Sequence, residues 1–355
     1  MTQVPNQYRA LLLNGAKDVS VVKFETAPLS AGEVRIKLGA AGICGTDLHY
    51  FADYANAGFG VQTPLTLGHE ASGTVVEVGA GVIGIELGDK VAVNPVVACG
   101  HCRPCVDGKR NLCERKRFPG SATTVPHIHG FFREYFEFPA AACTVVSPDT
   151  NLSKLAFVEP LACSLHAIER AGPMLARRVL VSGAGPIGIF AAAAAKIAGA
   201  SRVTMTDLCD NTLAIAKKMG IDEVINVASD PQGLSDSIEM SGLFDVVIEA
   251  SGAVAAVNTG IDSVRRGGTL VLLSNLPAGG VNINANLIML KEINFLGTMQ
   301  FGGEFEKALR LIVSGQIDVS PMLTAQYDLS QAEQAFAEAK DRTKSMKIQL
   351  ISEGV

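Results

Sequence analysis

The run Gly183-Ala184-Gly185-Pro186-Ile187-Gly188 constrains this chain more than any other feature. It follows an apolar segment, Arg178–Ser182, that reads as a strand, and it opens a segment, Ile187–Ala198, of helical character. Strand, glycine turn and helix in that order form a phosphate-binding turn. The first glycine permits the turn, the second lets a pyrophosphate approach the backbone, and the third lets the helix pack on the strand. Pro186 and Ile187 stand in the first helical turn, where free N–H groups and the helix dipole favour an anion. Asp207 ends the next strand candidate, where a carboxylate accepts hydrogen bonds from adenosine ribose hydroxyls and repels a 2′-phosphate. The residues after it, Leu208-Cys209-Asp210-Asn211, include no Arg, so NAD is expected over NADP.

Further strands are expected at Glu223–Asn226, Phe244–Glu249, Thr269–Leu273 and Ile293–Gly297, with helices at Asn211–Met219 and Val254–Val264. Strands alternating with helices predict a parallel sheet, and six of them fit a complete doubly wound fold. The first third reads instead as β-rich, with Glu33–Leu38, Gly73–Val78 and Lys90–Val93. A helix is expected from Ser153 to about Ala171, stopped by Gly172-Pro173. The C-terminal part predicts helices at Glu304–Ser314 and Leu329–Ala339 and a closing strand, Lys347–Ile351. A length of 355 residues fits two or three domains.

Composition excludes several classes. The net charge of −5, the absence of Trp and 6% aromatics give no basis for binding nucleic acid or an anionic membrane. The longest uncharged stretch, Val179–Ala195, is short for a bilayer and is broken by the glycine cluster. The opening MTQVPNQYRA lacks a basic region followed by an apolar core, so a cytoplasmic location is expected. Eight cysteines in that setting are expected to be metal ligands or buried thiols.

Two sets of residues suggest metal. Cys99-x2-Cys102-x2-Cys105-x7-Cys113 can close a tetrahedral zinc site with no open position, stapling a loop over about 98–114. An iron–sulfur cluster is the rival, but such runs continue with a shorter gap and a Cys-Pro that this chain lacks. Upstream, Cys44, His69 and Glu70, with Glu159 further on, can hold zinc with a position left for water or substrate. Singly these read as a buried thiol, a loop histidine and a helix N-terminal carboxylate. Together with the four cysteines and the glycine turn they read as a catalytic set.

With these motifs in place, the chain resembles the zinc-dependent medium-chain alcohol dehydrogenases along essentially its whole length. The matching motifs are Gly42–His49, Gly68-His69-Glu70, the four-cysteine lobe, Glu159-Pro160-Leu161 and Gly183–Gly188. The resemblance implies an α/β protein with a GroES-like β-rich catalytic domain (1–155), a Rossmann domain (156–297) and a C-terminal segment (298–355) returning to the first. It implies an active site in the cleft between the domains, two zincs, NAD, and a homodimer or homotetramer.

Gly68-His69-Glu70 with Glu159-Pro160-Leu161 is similar to the polyol, or sorbitol, dehydrogenase group, where Glu159 stands in the place of a second cysteine. The run from Arg117-Phe118-Pro119 to Pro126-His127 resembles L-idonate 5-dehydrogenases, which oxidise a sugar acid at C5. That likeness implies oxidation of L-idonate or a similar aldonate at its C5 hydroxyl to the keto acid, with a neutral polyol of the sorbitol or xylitol type as the alternative, by a Lewis-acid zinc lowering the pKa of the hydroxyl and hydride passing to the nicotinamide. Thr46 and His49 match the family's proton relay, which runs through the nicotinamide ribose. Leu273, Ser274, Asn275, Thr298 and Met299 are expected along the coenzyme. Tyr50, Arg117, Phe118, His127 and Gln300 are expected near substrate, Arg117 as partner of a carboxylate. Met299-Gln300-Phe301 departs from both groups, which carry Arg where this chain has Gln300. Cys163 is a less favoured spare ligand, and Cys143 and Cys209 read as structural. A quinone-reductase-like or non-catalytic relative is the remote alternative; it should lack the cysteine lobe, Cys44 or His69, and this chain has them all.

Overall fold

The structure, a computed structural model, describes residues 4–352. They form two compact units. One holds the chain up to Glu159, then Phe305–Asp341 and the chain from Lys347 on; the other holds Pro160–Glu304 and Arg342–Met346.

The second unit is a six-stranded, all-parallel sheet. Its strand order is Glu223–Asn226, Arg202–Asp207, Arg178–Ser182, Phe244–Glu249, Val264–Leu272, Asn294–Gly297. The order reverses beside the strand that carries the glycine turn, the doubly wound arrangement with its ligand crevice at the switch point. Its central strands are continuous apolar runs because helices cover both faces: Val179–Val181 and Val246–Ile248 are fully buried. The helix Pro186–Ile197 starts with Pro in its first turn and buries Ala191–Ala195. Two helices, Gly233–Ser241 and Ala285–Leu290, lie outside the expected set.

Close approach explains two of the three motif glycines. A Cβ at Gly188 would stand 1.9 Å from the Gly183 carbonyl oxygen. Gly183, at φ +102°, would press one onto the backbone of Ala250 and Ser251 at 2.7 Å. Gly185 faces open space, with nothing within 4 Å of such a Cβ.

The first unit is built on a seven-stranded sheet in which Glu33–Gly42 pairs antiparallel with Glu70–Val78, Tyr135–Pro139 and Lys347–Ile351. Gly42 lies opposite both Glu70 and Gln349. A hairpin, Gln7–Gly15 with Asp18–Glu25, forms a second small sheet. Phe131, Phe132 and Phe136 are fully buried in its core.

Two expectations change. The helix expected from Ser153 is broken into Leu152–Leu155, capped by the Asn151 side chain, and Val158–Ala171. A continuous helix would hold Pro160 in its interior, whereas the break leaves Pro160 in the first turn, where a missing N–H costs nothing. The C-terminal block expected as 298–355 is also divided. The chain stays with the second unit through Glu304, whose Oε1 lies 3.0 Å from His166 Nδ1, and Arg342–Met346 returns to that unit.

The glycine geometry predicts opposite outcomes for two alanine substitutions. Gly188→Ala must displace backbone and should cost about 2 kcal/mol or more, lowering Tm by several degrees. Gly185→Ala should leave Tm within about a degree. Thermal unfolding followed by circular dichroism separates them.

Candidate metal centres and coenzyme site

Cys44 caps the helix Gly45–Asp53, and Asp47 in its first turn ties the cap to the next loop. Asp47 accepts the Cys44 N–H at 2.9 Å through one oxygen and the Gly68 N–H at 3.1 Å through the other. Gly68, at φ +92°, has the Phe132 ring where a Cβ would lie, so this turn has to be glycine. His69 follows with Nδ1 3.7 Å from Asp47 and its ring against Phe118, centroids 5.3 Å apart. Glu70 opens the next strand and sends its carboxylate across to Gly42, into the volume a side chain there would fill. Lys347, at the start of the closing strand, donates from Nζ to both Glu70 oxygens (2.8 and 2.9 Å) and to the Ile43 carbonyl (3.1 Å).

The structure thus brings Cys44, His69 and Glu70 together, with one ligand atom of each within 4.8 Å of the others. All of this is buried or nearly so, and acids outnumber cations. Burial disfavours a charged His69 ring, but Asp47, the Cys44 sulfur and Glu159 outweigh it and raise its pKa well above the ordinary value. Burial likewise raises the Asp47 carboxyl, against the pull of His69. Burial works against the Lys347 ammonium too, but Glu70 and Cys44 leave its pKa above the usual value. Among the described residues, His69 Nδ1 is buried without a hydrogen-bond partner. Surroundings that hold a proton on an imidazole, beside a thiol and a carboxylate, fit a divalent cation of borderline softness.

The other expected residues of this unit fall around the set. Glu159 is buried in the first turn of Val158–Ala171. Thr46 and His49, three apart on the helix Gly45–Asp53, share a face, and His49 is exposed. The Tyr50 hydroxyl lies 3.2 Å from Ser121 Oγ and accepts the Ala122 N–H, which pins the loop after Phe118. Arg117 pairs its backbone with Val97 in an extended bridge and is exposed, while its neighbour Phe118 is buried against His69. Both His127 nitrogens are engaged, Nε2 by the Gln62 N–H and Nδ1 by the Thr124 carbonyl.

The four-cysteine lobe buries Cys113 and Asn111 but exposes its larger apolar side chains, Val106 and Leu112, and its regular structure is one helical turn, Arg103–Val106, and a 3-10 turn, Arg110–Leu112. The sulfurs of Cys99, Cys102, Cys105 and Cys113 nevertheless lie within 4.8 Å of one another. Backbone N–H groups of His101 and Cys102 pull the Cys99 thiol down to about 6, while desolvation and Cys102 push Cys105 up to about 12. Four sulfurs competing for protons at one point fit a tetrahedral thiolate site.

In the second unit, Asp207 accepts the Ala184 N–H (2.6 Å), from inside the glycine turn, and the N–H groups of Leu208 and Cys209. Its fourth partner corrects the expectation that no cation stands nearby: Arg342 Nη2 lies 2.7 Å from Asp207 Oδ2. Reading forward from Asp207 could not find it, because it comes from 135 positions downstream. Ser274 donates to the buried Glu249 at 2.8 Å, and the Leu273 N–H bonds the Glu249 carbonyl. Asn275 packs its carbonyl against Gly252, Met299 is exposed, and Gln300 holds a left-handed φ of +48°. Among the described residues, the Thr298 hydroxyl is buried without a hydrogen-bond partner. The open space at Gly185 and this orphaned hydroxyl fit a dinucleotide. Asp47, Lys347 and Arg342 were missed by the motif reading. Asp47 stands inside the motif Gly42–His49, and Lys347 is a charge opening an otherwise mostly apolar strand.

Comparison with known proteins agrees with this geometry. The family model described as "Alcohol dehydrogenase GroES-like domain" matches residues 30–148, and "Zinc-binding dehydrogenase" matches 186–314. The chain is 32% identical to the L-idonate 5-dehydrogenase (NAD(P)(+)) of Escherichia coli K12, over 97% of this chain and 98% of that protein. The solved structure of the E. coli enzyme superposes with a TM-score of 0.91 over the same shares. Sorbitol dehydrogenase of Bacillus subtilis is 31% identical over 95% of this chain and 94% of its own. D-xylulose reductase A of Aspergillus oryzae is 33% identical over 90% of each. The chain therefore belongs to the zinc-dependent medium-chain alcohol dehydrogenase family, within its polyol dehydrogenase group, and is an oxidoreductase that works with zinc and a nicotinamide coenzyme.

Proposed function

We propose that the chain oxidises a secondary hydroxyl on a polyol-length carbon chain, and that Cys44, His69 and Glu70 hold the zinc that binds this hydroxyl. The observation that carries this is the buried convergence of those three ligand atoms. Lys347 uses one lone pair on each Glu70 oxygen and leaves another for a metal. Glu159 stands further out and adds negative potential at His69. When bound, zinc supplies Lewis-acid polarisation of the substrate hydroxyl and the coenzyme accepts the hydride. The protein's own part is to hold and order. Asp47 orients the Cys44 and His69 loops, Phe118 covers the His69 ring, and Thr46 and His49 give the released proton a way to water. The cysteine lobe carries the second zinc, which has a folding role only.

The substrate reading rests on charge. A carboxylate taken out of water needs a cation or several donors. Lys347 is committed to Glu70, Arg117 is exposed, both His127 nitrogens are engaged, and position 300 is a neutral Gln. These favour a neutral polyol such as sorbitol or xylitol. Oxidation of L-idonate at C5 keeps one specific support: likeness to the E. coli enzyme extends over nearly the whole chain.

Three outcomes test this. Elemental analysis should find two zincs per chain. Cys44→Ser and Glu70→Gln should each retain one and lose turnover, Glu159→Gln should retain two, and Cys102→Ser should be destabilised. Zinc retained at two in Glu70→Gln would remove that ligand from the set.

Lys347→Met leaves a buried carboxylate without its counter-charge and should cost about 3–5 kcal/mol in urea unfolding, with part regained in the double variant with Glu70→Gln. Equal stability of both would contradict the pairing.

Sorbitol or xylitol should be oxidised with kcat/KM at least equal to that for L-idonate, and Arg117→Ala should change each less than threefold. A preference for L-idonate of about thirtyfold, lost in Arg117→Ala, would establish the aldonate instead.

A further inference from the structure

The Asp207–Arg342 pair is a built feature. Asp207 is 4% exposed at its side chain and Arg342 is 52% exposed. The arginine's main chain is fixed independently of its guanidinium. Its carbonyl accepts from Asn211 Nδ2 at 3.0 Å and from the Cys209 thiol at 3.3 Å, both residues lying just after Asp207. The side chain can therefore leave Asp207 and return while its root stays in place. All four acceptor directions of the carboxylate are in use: Ala184 and Arg342 on Oδ2, Leu208 and Cys209 on Oδ1. An adenosine ribose that bonds Asp207 through its hydroxyls has to take the direction Arg342 now holds, because the other three belong to the turn backbone.

We propose that Arg342 is a coenzyme-selectivity residue that lets this site take a 2′-phosphorylated nicotinamide coenzyme alongside NAD. The inference rests on the coenzyme reading of the glycine turn and Asp207. With NAD, the ribose hydroxyls replace the guanidinium on the carboxylate, and Arg342 turns to solvent. With NADP, the 2′-phosphate would meet the Asp207 charge, and Arg342 answers it by pairing with the phosphate, for which its planar fork is suited. Asp207 alone predicts strict NAD use. Asp207 with a tethered, half-exposed arginine predicts tolerance of both.

Adenosine 2′,5′-bisphosphate and 5′-AMP carry the difference without the nicotinamide, so binding can be read by calorimetry apart from turnover. Both should bind the unchanged protein. In Arg342→Gln, affinity for the bisphosphate should fall at least tenfold and that for 5′-AMP by less than threefold. Arg342→Lys should lie between, and kcat/KM for NADP against NAD should follow the same order. Raising salt should weaken the bisphosphate more than 5′-AMP in the unchanged protein, and the gap should shrink in Arg342→Gln. Equal loss of both fragments would make Arg342 only a support for Asp207 and overturn the proposal, as would no loss of either. Failure of the unchanged protein to bind either fragment would overturn the coenzyme reading itself, and the proposal with it.

Discussion

The ion pair between Glu70 and Lys347 is the interaction on which the metal site depends. Both side chains are almost wholly buried, and a carboxylate in that position without a cation would be heavily penalised. The sheet supplies the cation. Glu70, Gly42 and Gln349 lie side by side on three paired strands, and Lys347 stands two positions before Gln349 on the last of them. The register of the closing strand thus sets where Nζ arrives. Gly42 completes the arrangement by having no side chain: a Cβ there would be 2.0 Å from Glu70 Oε2. The proposed metal ligand, its counter-charge and the space it needs are all consequences of strand pairing.

The neighbouring acid is handled differently. Asp47 is fully buried; it is held by two backbone N–H groups and faces the His69 ring beyond hydrogen-bond distance. Its carboxyl pKa is raised by burial while that of His69 is raised by Asp47 and Cys44, so the two share a proton-rich, acid-heavy environment. Lys347 balances Glu70 and leaves the rest. A dication beside Cys44 would settle that remaining imbalance. The cysteine lobe shows the same economy on the surface, where sulfur convergence replaces an apolar core.

Much of this was legible beforehand because it is local. A glycine turn between strand and helix, four cysteines at close spacing and runs of β-branched residues each state their geometry within a few positions. What was not legible depends on distant parts of the chain. The hairpin Gln7–Gly15 with Asp18–Glu25 mixes charged with apolar residues, and the burial of Leu11 and Leu13 in the core is a property of the folded chain. The helix break before Val158 follows from Pro160, a local cue that an otherwise continuous apolar pattern hides. Arg117 is expected near substrate from its run alone; that its side chain is exposed is a property of the folded chain.

The charges follow the same division. The motifs display their acids, Glu70 after His69 and Asp207 at a strand end, but neither motif contains the cation that the acid requires. Both cations come from a short stretch near the end of the chain, Arg342 and Lys347, five positions apart and in no motif of their own. A local pattern can specify a ligand because ligand geometry is short-ranged. It cannot specify the counter-charge, because any segment the fold brings alongside can provide one. Two chains with identical motifs can therefore differ in coenzyme tolerance at one cation and in metal-site stability at the other. For this family, residues 342 and 347 have to be read from the fold before the motifs can be read as chemistry.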